Sequence, residues 1–149
     1  MAKRVLIIDD DQIIVKYLSV ALSENGYEPV AASDCNEGLQ KIRDNKPDLI
    51  VLDIMMPGRS GFVMIKQLKK DEEFKDIPVL MLSGIGGVLD DWETHKAETE
   101  EAPYDALRET LKKKIDEMRE EGMLSPEMFV EKPVKSDAFI GKVQELIGS

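Results

Sequence analysis

The chain has 149 residues, 42% of them hydrophobic and 34% charged, which suits one soluble domain with a real core and is short for two. Thirty acidic residues against twenty basic ones leave a formal charge of −10, which repels nucleic-acid phosphates and anionic membranes and argues against direct DNA binding. The apolar run from Val5 to Ile8 is too short for a signal peptide, no run reaches a membrane span, and the single cysteine, Cys35, has no intramolecular partner, so a cytoplasmic protein is expected.

Over the first 84 residues strand-like and helix-like patterns alternate, which argues for a parallel α/β sheet. Arg4 to Asp9 carries the unbroken run Val-Leu-Ile-Ile, as expected of a strand covered on both faces. Ile13, Ile14, Tyr17, Leu18, Ala21 and Leu22 then recur at helical spacing, and Gly26 stands where a helix-ending glycine belongs. Glu28 to Ala32 is a weaker strand, followed by a helix carrying Leu39 and Ile42 that must stop before Pro47. Asp48 to Asp53 is the most strand-like segment of all. Met55 to Gly61 holds Pro57, Gly58 and Gly61 and is read as a loop, after which Phe62, Ile65 and Leu68 mark a third helix. Val79 to Ser83 is a fourth strand, Met128 to Glu131 a short fifth, and Phe139, Ile140, Val143, Leu146 and Ile147 line a final helix beginning near Ser136.

From Gly84 to Glu127 the chain runs for 44 residues. A connecting helix of about 12 residues with two short loops would need only ~20. This enlarged segment, 85–127, is expected to be helical and acidic, with a helix from Pro103 to Glu121 ended by Gly122 and striped by Tyr104, Leu107, Leu111, Ile115 and Met118. Trp92 is read as a packing anchor for it and His95 as a solvated residue.

In a doubly wound sheet the strands end at one rim and ligands bind there. Asp9 and Asp10 finish the first strand, Asp53 the third, Ser83 the fourth and Lys132 the fifth, so five functional groups are expected at one edge. Three carboxylates together repel one another unless a cation intervenes. A hard divalent cation with oxygen ligands, magnesium above all, and the ammonium of Lys132 resolve the conflict. The set then suits a phosphoryl group on a carboxylate, with charge neutralised around an in-line transfer. Asp11, by contrast, reads as an acid favoured at a helix N-terminus.

The strings Val-Leu-Ile-Ile-Asp-Asp-Asp, Leu-Asp-Ile-Met-Met-Pro-Gly, Met-Leu-Ser-Gly and Glu-Lys-Pro resemble the motifs of the receiver domain of bacterial two-component response regulators, over residues 4–84 and 128–148. The resemblance implies a single flavodoxin-like domain over 1–149, with a five-stranded parallel sheet in the order 2-1-3-4-5, helices on both faces and an added helical insertion. It implies Asp53 as phosphoacceptor, Asp9, Asp10 and the main-chain carbonyl of Met55 as magnesium ligands with Asp53, Lys132 as the charge-neutralising lysine, Ser83 as the hydroxyl that closes onto the phosphoryl group, and Phe129 at the switch aromatic position.

The implied function is a phosphorylation-activated switch, charged by a sensor histidine kinase or a phosphotransfer protein and acting on an unknown downstream protein as a monomer or weak homodimer. It would not be an enzyme beyond its own phosphorylation and dephosphorylation. Two other readings stay open at this point. One is a pseudo-receiver adaptor that binds a partner through the inserted helix and does not use Asp53. The other is a small magnesium-dependent phosphohydrolase, for which Asp9 and Asp11 have a suitable spacing but no cap domain is evident.

Overall fold

The computed structural model describes residues 2–53, 61–83, 113, 116, 117, 120, 129–131 and 134–148. Five strands, β1 (Arg4–Ile8), β2 (Glu28–Ala32), β3 (Leu49–Asp53), β4 (Val79–Ser83) and β5 (Phe129–Glu131), form one sheet in the order β2-β1-β3-β4-β5. Every neighbouring pair is parallel. The helices are α1 (Gln12–Glu24), α2 (Cys35–Asp44), α3 (Gly61–Lys69) and α4 (Ser136–Ile147). This is the flavodoxin-like arrangement expected from the sequence. Within residues 84–128 only Lys113, Asp116, Glu117 and Glu120 are described; each is helical and exposed. The expected helix over 103–121, its apolar stripe, Trp92 and His95 otherwise lie outside the described residues.

Alternation along the strands explains the unbroken apolar runs. Val5 and Ile7 of β1 join one core cluster with Leu18 and Leu22 of α1 and Phe139 and Val143 of α4, while Leu6 and Ile8 join a second with Leu39 and Ile42 of α2 and Met64 and Ile65 of α3. A strand whose odd and even residues are both buried has no polar face, because side chains point alternately to the two sides of the sheet. Helices therefore cover both faces, α1 and α4 on one and α2 and α3 on the other. Among the described residues no helix is long and apolar enough to cross a membrane.

The core-facing line of α1 keeps Leu18, Ala21 and Leu22 of the expected set and departs from it at Ile13 and Tyr17, with Val15 taking a core place. Val15, Leu18, Ala21 and Leu22 are buried, whereas Ile13 is 79% and Tyr17 42% exposed. Both families of positions repeat at i, i+4, and the helix is rotated so that 13, 17 and 20 look outward. Apolar spacing identifies a helix here, yet two apolar lines compete for its inner face, and only packing against the sheet selects one.

Local sequence sets the helix ends. Asp11 caps α1, its carboxylate accepting from the backbone N–H of Ile13 and Ile14. At the other end Tyr27 N–H donates to the Leu22 carbonyl and Gly26 N–H to that of Ser23, with Gly26 at φ 87°, a conformation that only glycine adopts without strain. On α2 the capping is reciprocal: Asp34 accepts from Glu37 N–H at 2.8 Å, and Glu37 reaches back to accept from Ser33 N–H at 2.8 Å. The Ser33 N–H, with help from Lys41, holds the Glu37 carboxyl below the usual carboxylate range. The far end of α4 is tied down by Lys3, which donates to the Ile147 carbonyl, and by the Tyr27 hydroxyl, which donates to that of Gly148 at 2.6 Å.

The close approach of α2 to β1 depends on Gly38, where a Cβ would fall 2.5 Å from Ile8 Cδ1 and 3.0 Å from its Cγ1. Ile8 is wholly buried and cannot yield cheaply. Gly38→Ala should therefore destabilise the fold by about 1 kcal/mol, overpacking outweighing the gain in helix propensity. Removing Cδ1 with Ile8→Val should relieve much of the penalty, which a double-mutant cycle by urea denaturation would measure.

Because the folded Glu37 carboxyl is held low, its contribution is present above its ordinary value of 4.5 and is lost as pH falls through the lower folded value. Glu37→Gln should cost about 0.5 kcal/mol at neutral pH, solvent screening of this half-exposed group included. The difference between the two proteins should vanish in acid, as thermal melts from pH 7 to pH 3 would show.

Candidate phosphoryl-acceptor site

All five strands run the same way, so their carboxyl ends share one rim. Asp9 follows the last residue of β1, and its N–H donates to the Ala32 carbonyl at the end of β2, extending the pairing by one position. Asp53 is the last residue of β3 and stands in register with Leu82, one residue before Ser83 ends β4. Ser83 is in turn in register with Glu131, the last residue of β5.

Two of the acids at this rim are out of water: Asp9 is 0% and Asp53 3% exposed, while Asp10 is exposed. Carboxylate oxygens of Asp9, Asp10 and Asp53 all lie within 4.8 Å of one another. Asp9 is oriented by the N–H of Asp11, which donates to its Oδ1 at 2.9 Å, so the capping residue of α1 also steers the buried acid. One turn of backbone thus serves two tasks. Asp11 starts the helix and Asp9 and Asp10 are left pointing into the cluster, which agrees with the separate reading given to Asp11 from sequence.

Oxygens sharing a magnesium ion at about 2.1 Å stand roughly 3 to 4.2 Å apart, the scale of this cluster, and the donor set is all oxygen, as a hard cation requires. Three residues of the sequence-derived site, Asp9, Asp10 and Asp53, are therefore brought together. Ser83 and Phe129 are placed by their backbones, at the end of β4 and the start of β5, with Phe129 in register with Met81. Their side chains, Lys132 and Met55 lie outside the described residues; Lys132 follows Glu131 directly in the chain.

One feature of the rim was not legible beforehand. The Tyr17 hydroxyl on α1 accepts a hydrogen bond from the backbone N–H of Ser136, the first residue of α4, at 2.9 Å. The partners are 119 residues apart, so no local sequence signal could have paired them.

With this geometry in view, the comparisons with known proteins are specific. The family model for the response regulator receiver domain matches residues 5–119, and the chain belongs to that family. It is 41% identical over 86 residues to the phosphate regulon transcriptional regulatory protein PhoB of Escherichia coli, a match covering 58% of this chain and 38% of that protein. The chain thus spans under half of the length of the curated relatives it matches. In three dimensions it resembles the crystal structure of NtrX from Brucella abortus, with a TM-score of 0.70 and 26% identity, over 99% of this chain and 27% of that one. It also resembles the chemotaxis protein CheY4 of Vibrio cholerae, with a TM-score of 0.68 and 24% identity over 98% and 99% of the two chains, a likeness of fold.

Mutual repulsion within the cluster has a measurable consequence. In a chelating buffer at neutral pH, Asp10→Asn removes one of three neighbouring charges at an exposed position and should raise stability by about 0.5 to 1 kcal/mol. An unchanged or lower midpoint of chemical denaturation would show that the three carboxylates do not strain the ion-free protein.

Proposed function

We propose that this chain is a phosphorylation-activated switch of a two-component or phosphorelay system, in which Asp53 accepts a phosphoryl group from the phosphohistidine of a sensor kinase or a phosphotransfer protein. The observation that carries the reading is the meeting of Asp9, Asp10 and Asp53 at the carboxyl rim of the sheet, in a chain of the receiver family.

In the transfer, a carboxylate oxygen of Asp53 attacks phosphorus, the O–P bond forms as the N–P bond to the donor imidazole breaks, and the departing imidazole nitrogen is protonated. Asp53 is 3% exposed, so little of its side chain is open to competing water. Asp9 and Asp10, with Asp53 and the Met55 carbonyl, would hold magnesium. Bound there, the ion would supply the positive charge that three carboxylates and a phosphoryl group need in common.

Lys132, following the end of β5, is assigned to neutralise the phosphoryl oxygens, and Ser83, at the end of β4, to donate a hydrogen bond to one of them. The added charge and acceptor oxygens bias the two-state equilibrium of this rim, with Phe129 following Ser83. The reading makes the protein no enzyme toward external substrates: it catalyses its own phosphorylation and dephosphorylation, and its output is a changed affinity for a downstream protein.

Acetyl phosphate with magnesium should label the wild type at a single residue, and Asp53→Asn should reduce labelling at least 100-fold, on the order expected when the reacting group itself is removed. Mass spectrometry of the intact protein would report a single phosphoryl adduct. Absence of a magnesium-dependent adduct would leave the adaptor reading, and turnover of an external phosphoester would favour the hydrolase.

A further inference from the structure

We propose that Tyr17 is a positioning residue for phosphoryl transfer: its hydroxyl holds the first turn of α4 against α1 and thereby fixes the chain that follows Lys132. The inference rests on the assignment of Asp53 and Lys132 made above.

A helix begins with backbone N–H groups that lack partners within the helix, and a side chain at the N-cap normally answers one of them. The N-cap of α4 is Lys135, which makes no side-chain capping bond. A lysine has no acceptor to offer. Tyr17 supplies one from another element, its hydroxyl oxygen accepting from Ser136 N–H at 2.9 Å. The ring of Tyr17 is 42% exposed, so the residue contributes less to the core than its neighbour Leu18, which is wholly buried. Its distinctive contribution is the hydroxyl.

The described residues on either side of Lys132 are both anchored. Upstream, Glu131 is locked to the sheet by its register with Ser83. Downstream, Val134 is buried in the cluster that includes Leu18 and Leu82, and Ser136 is fastened to α1. Lys132 and Pro133 are the only residues between the sheet-bound Glu131 and the core-bound Val134. A tether at Ser136 therefore restrains the chain from Val134 onward, two residues after Lys132 in sequence.

The helix to which it is tethered begins at Asp11, the residue whose N–H orients Asp9. Asp9 and the chain that follows Lys132 are thus referred to the same rigid body. Transfer is sensitive to displacements below an ångström, so loosening one side of this frame should slow chemistry while leaving the acid cluster, built on β1 and β3, able to hold its metal.

Tyr27 provides a matched control. Its hydroxyl donates to the Gly148 carbonyl at the opposite end of α4, so Tyr27→Phe removes a tyrosine tether from the same helix far from the rim. In the full-length chain, with acetyl phosphate as donor, Tyr17→Phe should lower the maximal labelling rate roughly three- to tenfold and leave the magnesium concentration for half-maximal rate unchanged. Tyr27→Phe should lower the melting temperature without slowing labelling.

Tyr17→Phe should also have no further effect in a Lys132→Ala background, because the two act through one group. A wild-type rate in Tyr17→Phe, equal slowing by Tyr27→Phe, or full additivity with Lys132→Ala would each overturn the assignment of Tyr17 alone. A wild type that acetyl phosphate does not label at Asp53 would instead overturn the phosphoacceptor reading, and this inference with it.

Discussion

Three carboxylates of like charge, two of them shut away from water, are held together at the end of a sheet. Like charges at Asp9, Asp10 and Asp53 repel one another when they stand side by side. Each would be better solvated alone, and their proximity raises the electrostatic cost of folding. The rest of the structure is what makes the arrangement tolerable. A parallel sheet delivers the ends of β1 and β3 to one place whatever the residues there prefer, because the register is dictated by apolar strands buried on both faces. The free energy of the core is thus spent in part on maintaining a concentrated negative site that a bound cation would relieve.

The surrounding elements hold this rim in position through bonds that each involve only one or two groups. Asp11 starts α1 and, through its own N–H, turns Asp9 into the cluster. Gly38 lets α2 settle directly on Ile8, the residue before Asp9, where any larger side chain would meet a filled space. Tyr17 ties the start of α4 to α1, and Lys3 and Tyr27 tie its end to the opposite side of the molecule. Placed in this way, α4 has two anchored ends, and only the first lies on the side where the acids gather. The two ends of α4 can therefore be loosened independently of one another.

Much of this was readable from the linear chain, for identifiable reasons. Strand β1 shows itself as Val5 to Ile8 because a doubly covered strand has no polar positions, and Asp53 stands out because an acid ends the most apolar strand of all. The helix ends were legible through Gly26, which is free to take the positive φ that ends α1, and Pro47, whose ring cannot continue a helix. The inner face of α1 was legible only in part, through Leu18, Ala21 and Leu22. Ile13 and Tyr17 continue an apolar spacing as well as Val15 and Leu18 do, and periodicity is blind to which of two apolar lines meets the sheet. The reciprocal cap of α2 does have a signal, the three-residue spacing of Asp34 and Glu37, whereas spacing could not reveal that Gly38 faces Ile8 across a gap too narrow for a methyl group.

By itself the sequence determined the kinds of element, their order and the chemical character of the rim, since these follow from local patterns of burial, turn chemistry and charge. Tertiary structure alone decided which apolar line of α1 is buried, how close the carboxylates of residues 9, 10 and 53 approach, and that a tyrosine on α1 caps a helix 119 residues further on. The physical reason is the same in each case. Such contacts join groups distant along the chain, and their energies depend on distances of a few ångströms that no local pattern encodes.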